Sequence, residues 1–488
     1  MVSLKWMKHI TVEPIIFLIY LGWVFGNTLQ SPGLYEKVCR MYYSDEVGVN
    51  CKDLSATHDI EDRVQSRSAQ WSLYNAISYL TPAIFADTIL GAYGDKHGRQ
   101  VNILLGIAGI AVSEYGYMLT LSNSANTPYF TVLIFGIVTG ATGYIALVPV
   151  SCNAYLADIT PDKSQLTIRS GIFTVAQGLS SVLGGFTAGF FSDLSIPLGM
   201  DIELFMYVLA FIYVLWRIPQ RPGIEEIKRR ARGPTEGAPT LRGILVEIWT
   251  LMKLGFWTYR KPRLGYRRAL MFLAVFVLML TYTTSVETRI SSVMSIYTFR
   301  CSGRNALCWK AEQLGYWNGS GYLLLIIGTL AGLFVGKRVF KLRETTLIII
   351  GLMASSARTL MIGVATSPWE MYVANVLGSL AGITQPAIVS YMAQLVEQEE
   401  IGRAFSLFGI AADLAFIVTN LIYNNIYSAT VGWYPGFLFL FIAFLQTCAA
   451  GGMVWAHFES IREGIGAQEA DNFDAVEHNS EHAVESVT

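Results

Sequence analysis

The sequence predicts an all-α membrane protein: twelve transmembrane helices in two six-helix halves, with both termini on the cytoplasmic side. Three observations predict it. Of the 488 residues, 53% are hydrophobic and 15% are Asp, Glu, Lys or Arg, whereas a soluble domain carries about 25% charged residues. Apolar runs recur at the length of about 20 residues that crosses a bilayer of about 30 Å. Lysine and arginine cluster in alternate loops, which fixes orientation. The net charge of −1 gives no bulk attraction for nucleic acid.

The runs fall at roughly 12–31, 71–93, 101–121, 129–150, 166–191 and 203–219, then 269–292, 314–336, 345–366, 369–395, 404–427 and 434–457. Backbone groups in lipid must be satisfied internally, so runs of this length are helices. A β-barrel would alternate over segments of about 10 residues. Lys5 and Lys8, Lys96 and Arg99, Lys163 and Arg169, and Lys337, Arg338, Lys341 and Arg343 mark the cytoplasmic side. The long outer loop 32–70 mixes both signs.

Four regions follow: a half at 1–219, a basic cytoplasmic linker at 220–268, a second half at 269–457 and an acidic tail at 458–488. In the linker, Leu241, Ile244, Leu245, Ile248, Trp249 and Met252 recur at helical spacing. That face suits either the anionic inner leaflet or the underside of the bundle. The tail has no apolar periodicity and is expected to be disordered.

Cys152 and Cys448 fall within spans and are expected to pack. Cys39 and Cys51 share the first outer loop, and Cys301 and Cys308 the outer loop after span seven. Four cysteines on the oxidising side predict two disulfides, and sequence alone allows three pairings. No histidine accompanies them at metal-ligand spacing, so no metal site is expected. A sequon, Asn318-Gly319-Ser320, opens span eight close to the membrane.

Between spans two and three the chain reads Gly91-Ala-Tyr-Gly-Asp95-Lys-His-Gly98-Arg99. Gly91 allows close helix approach, Gly98 permits a tight turn, and Asp95 and Arg99 can form a charge lock with each other and a neighbouring helix. This loop resembles the signature of the major facilitator superfamily. Gly332-Leu-Phe-Val-Gly336-Lys-Arg, at the equivalent place in the second half, keeps the small residues and the basic pair, as an internal repeat would. Shorter matches include Val12-Glu13-Pro14, Ala157-Asp158 with Arg169, Leu307-Cys308-Trp309 and Gly402-Arg-Ala404-Phe405-Ser406. Together they resemble solute carrier family 46 over residues 11–458.

That resemblance implies an alternating-access carrier, often proton-coupled, for organic anions or conjugates. It implies that spans one, four, seven and ten line the cavity, and that a disulfide joins Cys51 to Cys308. It implies a gate built from Gly91, Asp95, Gly98, Arg99, Asp158 and Arg169. The chain also departs from the folate-transporting branch. Thr142, Thr174, Tyr282 and Val389 stand where that branch carries titratable or charged groups, so a folate substrate does not transfer.

An ionisable residue inside a span is costly and marks a candidate site. Glu287 and Arg289 lie in span seven, Asp413 in span eleven, Arg358 in span nine, Glu114 in span three and Asp87 near the gate. Glu287 is the leading proton or cation candidate, with Asp413 and Glu114 beside it. Arg358 and Asp413 could instead form a structural bridge, and Glu114 needs a partner or a proton. Gln30, Asn27, Tyr144, Asn153, Tyr282 and Gln385 are polar groups on cavity helices, available to a solute or to a neighbouring helix.

No nucleotide loop or nucleophile–base arrangement is present, so neither an enzyme nor a cofactor is expected. The expected function is secondary active transport of a small organic solute, coupled to protons. A uniporter of the same fold and a non-transporting receptor are the competing classes. The expected partners are the solute, protons and the lipid bilayer, the expected state is a monomer, and the membrane is plasma or endolysosomal.

Overall fold

A computed structural model describes residues 10–46, 49–51, 58–121, 127–160, 163–191, 196–220, 257, 259–263, 265–284, 291–301, 303, 305–396 and 419–465. Among these residues the regular elements are all helical. The first half holds α1 (Glu13–Tyr43), α2 (His58–His97), α3 (Gln100–Leu121), α4 (Thr131–Ala141), α5 (Tyr144–Ile159), α6 (Lys163–Phe190) and α7 (Ile196–Arg217). The second holds α8 (Arg267–Thr283), α9 (Ser291–Phe299), α10 (Ala311–Phe334), α11 (Glu344–Val364), α12 (Pro368–Leu377), α13 (Thr384–Leu395), α14 (419–430) and α15 (Phe437–Arg462). Nine stretches among the described residues are long and apolar enough to cross a membrane. The predicted spans 71–93, 269–292 and 404–427 are not among these nine. The first lies inside the long, mixed-polarity helix α2, and the other two run over residues outside those described.

Burial is inverted relative to a soluble protein, and α7 displays it. Glu203, Tyr207, Ala210 and Val214 form one face and are fully buried. Phe205, Leu209, Ile212 and Trp216 form the opposite face and are exposed, Trp216 by 80%. The i, i+4, i+7, i+11 spacing places each set on one stripe. Apolar side chains turned outward around the bundle have nowhere to go but lipid. Each half has its own apolar core, one around Ile15, Ile107, Val148 and Val214, the other around Leu278, Ile348, Tyr391 and Met453.

Four features differ from the sequence expectation. Much of loop 32–70 is helix: α1 runs on to Tyr43 and α2 begins at His58. These extensions carry a small core of Val38, Cys39, Ile60 and Val64. Span four is broken at Thr142 and Gly143, where Gly143 (φ 87°) and Tyr144 (φ 48°) turn left-handed. Span ten is interrupted at the matching place, where Gly378–Ile383 is a 3-10 segment between α12 and α13. Span six starts earlier than expected, at Ile196, because Pro197 sits in the first helical turn where its missing N–H costs nothing.

The disulfides are a correction. Cys39 pairs with Cys51, and Cys301 with Cys308, at Cα separations of 5.5 and 4.1 Å. The resemblance implied Cys51 with Cys308. Local geometry decides otherwise. Cys39 and Cys51 are brought together where α1 turns back towards α2, in the same small apolar cluster. The second loop folds on itself, with Cys308 N–H donating to Arg300 O at 2.8 Å and Trp309 N–H to Thr298 O at 2.9 Å. Each bond therefore braces one half and leaves the halves free to part.

The halves meet along α6 and α10, and the fit changes along one face of α6. At Gly185 an added Cβ would collide with the α10 backbone at Gly319, and at Gly189 it would press at 3.0 Å on Glu312 O and the Tyr316 ring. At Gly178 it would meet only the Ile326 side chain, at 2.7 Å. At Gly171 it would meet nothing within 4 Å. Positions 171, 178 and 185 are seven apart and share a face to within about 20° per step. The halves thus touch near the disulfide-bearing end and diverge away from it.

Non-reducing peptide mapping should yield two cross-linked species, one within residues 39–51 and one within 301–308. A peptide joining Cys51 to Cys308 would overturn the arrangement.

Candidate functional site

At the apex of the divergence lies a narrow pocket between the halves. It is lined by Trp23, Asn27 and Thr28 of α1, Ser295 of α9, and Asn318 and Tyr322 of α10. In this closed-apex state it has room for about one water molecule. Two aromatic rings face two amides, which suits a partly apolar solute with hydrogen-bonding edges. Asn318 lines this pocket, so the sequon asparagine is turned into the protein and not towards a glycosylating enzyme.

The disulfide end is shut by a polar latch across the halves. Arg300, 5% exposed, pairs with Asp62 at 2.7 Å. Cys301 N–H donates to Glu61 Oε1 at 2.6 Å, and Glu61 is 1% exposed. Tyr427 OH donates to Gln65 Oε1 at 3.1 Å, and the Ser66 and Ser428 hydroxyls meet at 2.5 Å. Arg300 also donates to Val431 O at 2.9 Å, which anchors it in its own half. The carboxylates come from the helical extension of α2 beyond its apolar run. Sequence reasoning passed over Arg300, because a charge just after a span reads as solvated.

The opposite end of each half is tied internally. Arg99 Nε lies 3.4 Å from Asp158 Oδ2, linking the α2–α3 turn to the end of α5. Gly98 makes that turn at φ 95°, as its place in the motif predicts. Arg169 donates to Thr160 at 2.7 Å and to Thr11 at 3.1 Å, drawing the start of α1 into the same cluster. Gly91 and Asp95 lie in α2, with side-chain positions outside the described residues. In the second half Lys337 pairs with Glu344, whose carboxylate accepts from Ser390 of α13 at 3.0 Å. Each half thus ties the turn after its second span to its fourth span, in keeping with the faint sequence repeat.

Other predicted residues find partners within one half. Tyr282 accepts from Gln385 Nε2 at 2.7 Å, joining spans seven and ten. Arg358 donates to Asn375 Oδ1 at 2.7 Å and stacks over Trp317 at 5.5 Å. Asp87 lies against the break in span four, where a Cβ on Gly143 would come within 2.6 Å of its Oδ1. Tyr144 stacks on Tyr79 at 4.3 Å. Glu287, Arg289 and Asp413 lie outside the described residues.

Glu114 is buried in α3, and its neighbours are unexpected. It accepts from Gln30 of α1 and lies within hydrogen-bonding reach of Glu203 of α7. Glu203 is fully buried and accepts from Tyr207 OH at 2.6 Å. Sequence reasoning missed Glu203, because Pro197 and Gly199 read as loop and placed it at a span boundary. In the helix that begins at Ile196 it is two turns inside.

Replacing Arg300 by Gln leaves Asp62 and Glu61 facing the other half without their counter-charge. Loss of one partner from a fully buried pair costs about 3–5 kcal/mol, and Asp62 is 27% exposed, so the lower end applies. In a Ser295→Cys, Cys448→Ser background, Arg300→Gln should speed modification of the pocket thiol by a membrane-impermeant maleimide added from the disulfide side. An unchanged rate would mean the latch does not hold that end shut.

The sequence model of the Major Facilitator Superfamily matches residues 16–419. Among curated proteins, the lysosomal proton-coupled steroid conjugate and bile acid symporter SLC46A3 of Gallus gallus is 22% identical, over 92% of this chain and 94% of that one. The proton-coupled folate transporter of Bos taurus is 23% identical, over 88% of each. Among solved structures, a peptide transporter of the POT family superposes with a TM-score of 0.58 at 14% identity, covering 93% of this chain and 95% of that one.

Proposed function

The chain belongs to the major facilitator superfamily, and from that premise we propose that it is a secondary active carrier of an organic anion or conjugate, driven by protons and working by alternating access. The observation that carries this reading is the wedge between α6 and α10 with the pocket at its apex. A site reached from one side at a time needs one end closed and the other open, and the glycine contacts supply the closed end.

In this reading the disulfide end faces the extracellular or luminal side, where disulfides persist. The Lys- and Arg-rich turns at Arg99 and Lys337 face the cytoplasm. The state described is then open to the cytoplasm. Residues 1–219 and 269–457 are the two rocking bodies and 220–268 the linker between them. The carrier sits in the plasma or an endolysosomal membrane.

The solute class rests on two supports. The relatives' names specify a steroid conjugate, a bile acid and a folate. The pocket pairs Trp23 and Tyr322 with Asn27 and Asn318, which fits a flat apolar body with polar edges. Arg289, which the sequence places in span seven, is assigned the solute's negative charge. Tyr282 and Gln385 already satisfy each other and are assigned to holding spans seven and ten together.

Purified protein in liposomes tests the reading. An inward-acid gradient should drive accumulation of a steroid sulfate or a bile acid above equilibrium. Asn27→Ala should weaken apparent affinity about tenfold, the equivalent of one hydrogen bond of about 1.4 kcal/mol. Equilibration without accumulation would replace the symporter by a uniporter.

A further inference from the structure

We propose that Glu114 and Glu203 form a proton-binding site behind α1, on the side away from the solute pocket. The proton lies between the two carboxyls. Proton binding here stands on the geometry alone, and its use in transport rests on the carrier reading above.

Gln30 Nε2 donates to one oxygen of Glu114. Tyr207 OH donates to Oε1 of Glu203 at 2.6 Å. The other Glu203 oxygen, Oε2, is buried and has no hydrogen-bond partner among the described residues apart from what the neighbouring carboxyl can offer. Two carboxylates have no hydrogen to share, so their contact becomes a hydrogen bond only when one of them is protonated. A pair left doubly ionised would also place two like charges side by side in a site walled off from water.

Among the described residues no cation pairs with either carboxyl. Glu114 is 7% exposed and Glu203 0%. Among the described residues the titratable groups beside the pair are phenols, Tyr207 from α7 and Tyr117 from α3, with Tyr144 of α5 next to both of these. Tyr117 is itself engaged by Asn75 of α2. From α1 come an amide, Gln30, and a glycine, Gly26. A Cβ at Gly26 would collide with the Glu203 carboxylate, so that glycine is the space the site occupies. A ligand at this place must be small and positive, and the proton is the one the two oxygens can share directly.

The position gives the proton a route to the solute pocket. Gly22 and Gly26 of α1 press on Tyr207 and Glu203. Trp23 and Asn27, the next residues in the chain, line the pocket. One helix therefore has the carboxyl pair on one side and the pocket on the other. Loading a second proton removes the remaining charge, and Gln30 loses the ionised acceptor that makes its hydrogen bond strong. The changed bond acts on α1, which also contacts the other half through the pocket.

The test needs no solute. The full-length protein in liposomes is titrated with pH, and infrared difference spectra are read in the carbonyl-stretch region of protonated carboxylic acids. The wild type should show a band from a buried acid at neutral pH, insensitive to sodium, that is lost in Glu203→Gln and in Glu114→Gln. Absence of the band, or its displacement by sodium, would overturn the proposal in favour of an ionised pair or a cation site. Tyr207→Phe keeps the bulk of the side chain and should shift the band, so a poorly folded glutamine variant does not leave the question undecided. Under an inward-acid gradient, both glutamine variants should lose accumulation of whichever solute the wild type concentrates. Wild-type accumulation in both would also overturn the proposal. Failure of the wild type to accumulate any solute, with the band present, would instead count against proton-driven transport and leave the site standing.

Discussion

Backbone-to-backbone contact between α6 and α10 is the constraint on which the rest depends. Gly185 and Gly189 meet Gly315 and Gly319 backbone to backbone, with the Phe186 and Tyr316 rings packed alongside. Lipid gives two helices no hydrophobic reason to associate, so close packing through small residues is the main attraction available. That contact covers only the last turns of α6 near the disulfide end. Bulkier neighbours and then empty space follow along the same face, and this gradient is what makes the interface a wedge. The pocket exists because Trp23, Asn27, Asn318 and Tyr322 begin where the glycine contact ends. The latch at Arg300, Asp62 and Glu61 lies beyond it and adds electrostatic closure to a surface that already fits.

A contact of this kind holds only if each half moves as a unit. The structure meets that requirement in three ways. The disulfides close within the α1–α2 extension and within the loop after α9. The charged turns at Arg99 and Lys337 are pinned to the fourth span of their own half. Deep polar groups such as Arg358 with Asn375, and Gln446 with Thr284, Ser355 and Thr359, are also satisfied within one half. A disulfide between Cys51 and Cys308 would have crossed the latch and welded the closed end. Its absence leaves that end held by bonds that can be broken and remade.

The helical architecture was legible because lipid demands it in the composition. Long apolar runs announce themselves, and the Gly91–Arg99 loop announces the family. The site was less legible, for identifiable reasons. Glu203 was hidden because Pro197 and Gly199 imitate a loop, although both fit the first turn of a helix. The extensions of α1 and α2 were read as loop because their charges of both signs mask helical spacing, and the latch carboxylates lie on the α2 extension. Arg300 looked like a solvated flank. Disulfide pairing depends on which of four sulfurs meet, and nothing in their spacing encodes that. Asn318 carried a sequon, and only the direction of its helix face shows that it points inward. The interruptions at Gly143 and Gly378–Ile383 went unseen because an apolar run says nothing about one unwound turn within it.

Those interruptions bear on where charge can reside. Spans four and ten are unwound at corresponding places, and in transporters of this kind such breaks are where polar backbone meets a cavity. The residues at both breaks are themselves neutral, although Asp87 of α2 lies against the one in span four. Thr142 donates to Thr139 O and packs on Gly109, and Thr384 packs on Gly351. Thr174, Tyr282 and Val389 continue the pattern, since none carries a charge where the folate-transporting branch has one. A neutral wall costs little when it faces an apolar solute and water in turn, whereas a carboxylate there would have to be resolvated in every cycle. Moving the acid pair behind α1 separates the two demands. The pocket can be shaped for the solute, and the ionisable groups can stay in one dry, hydrogen-bonded setting while the helix between them conveys the change.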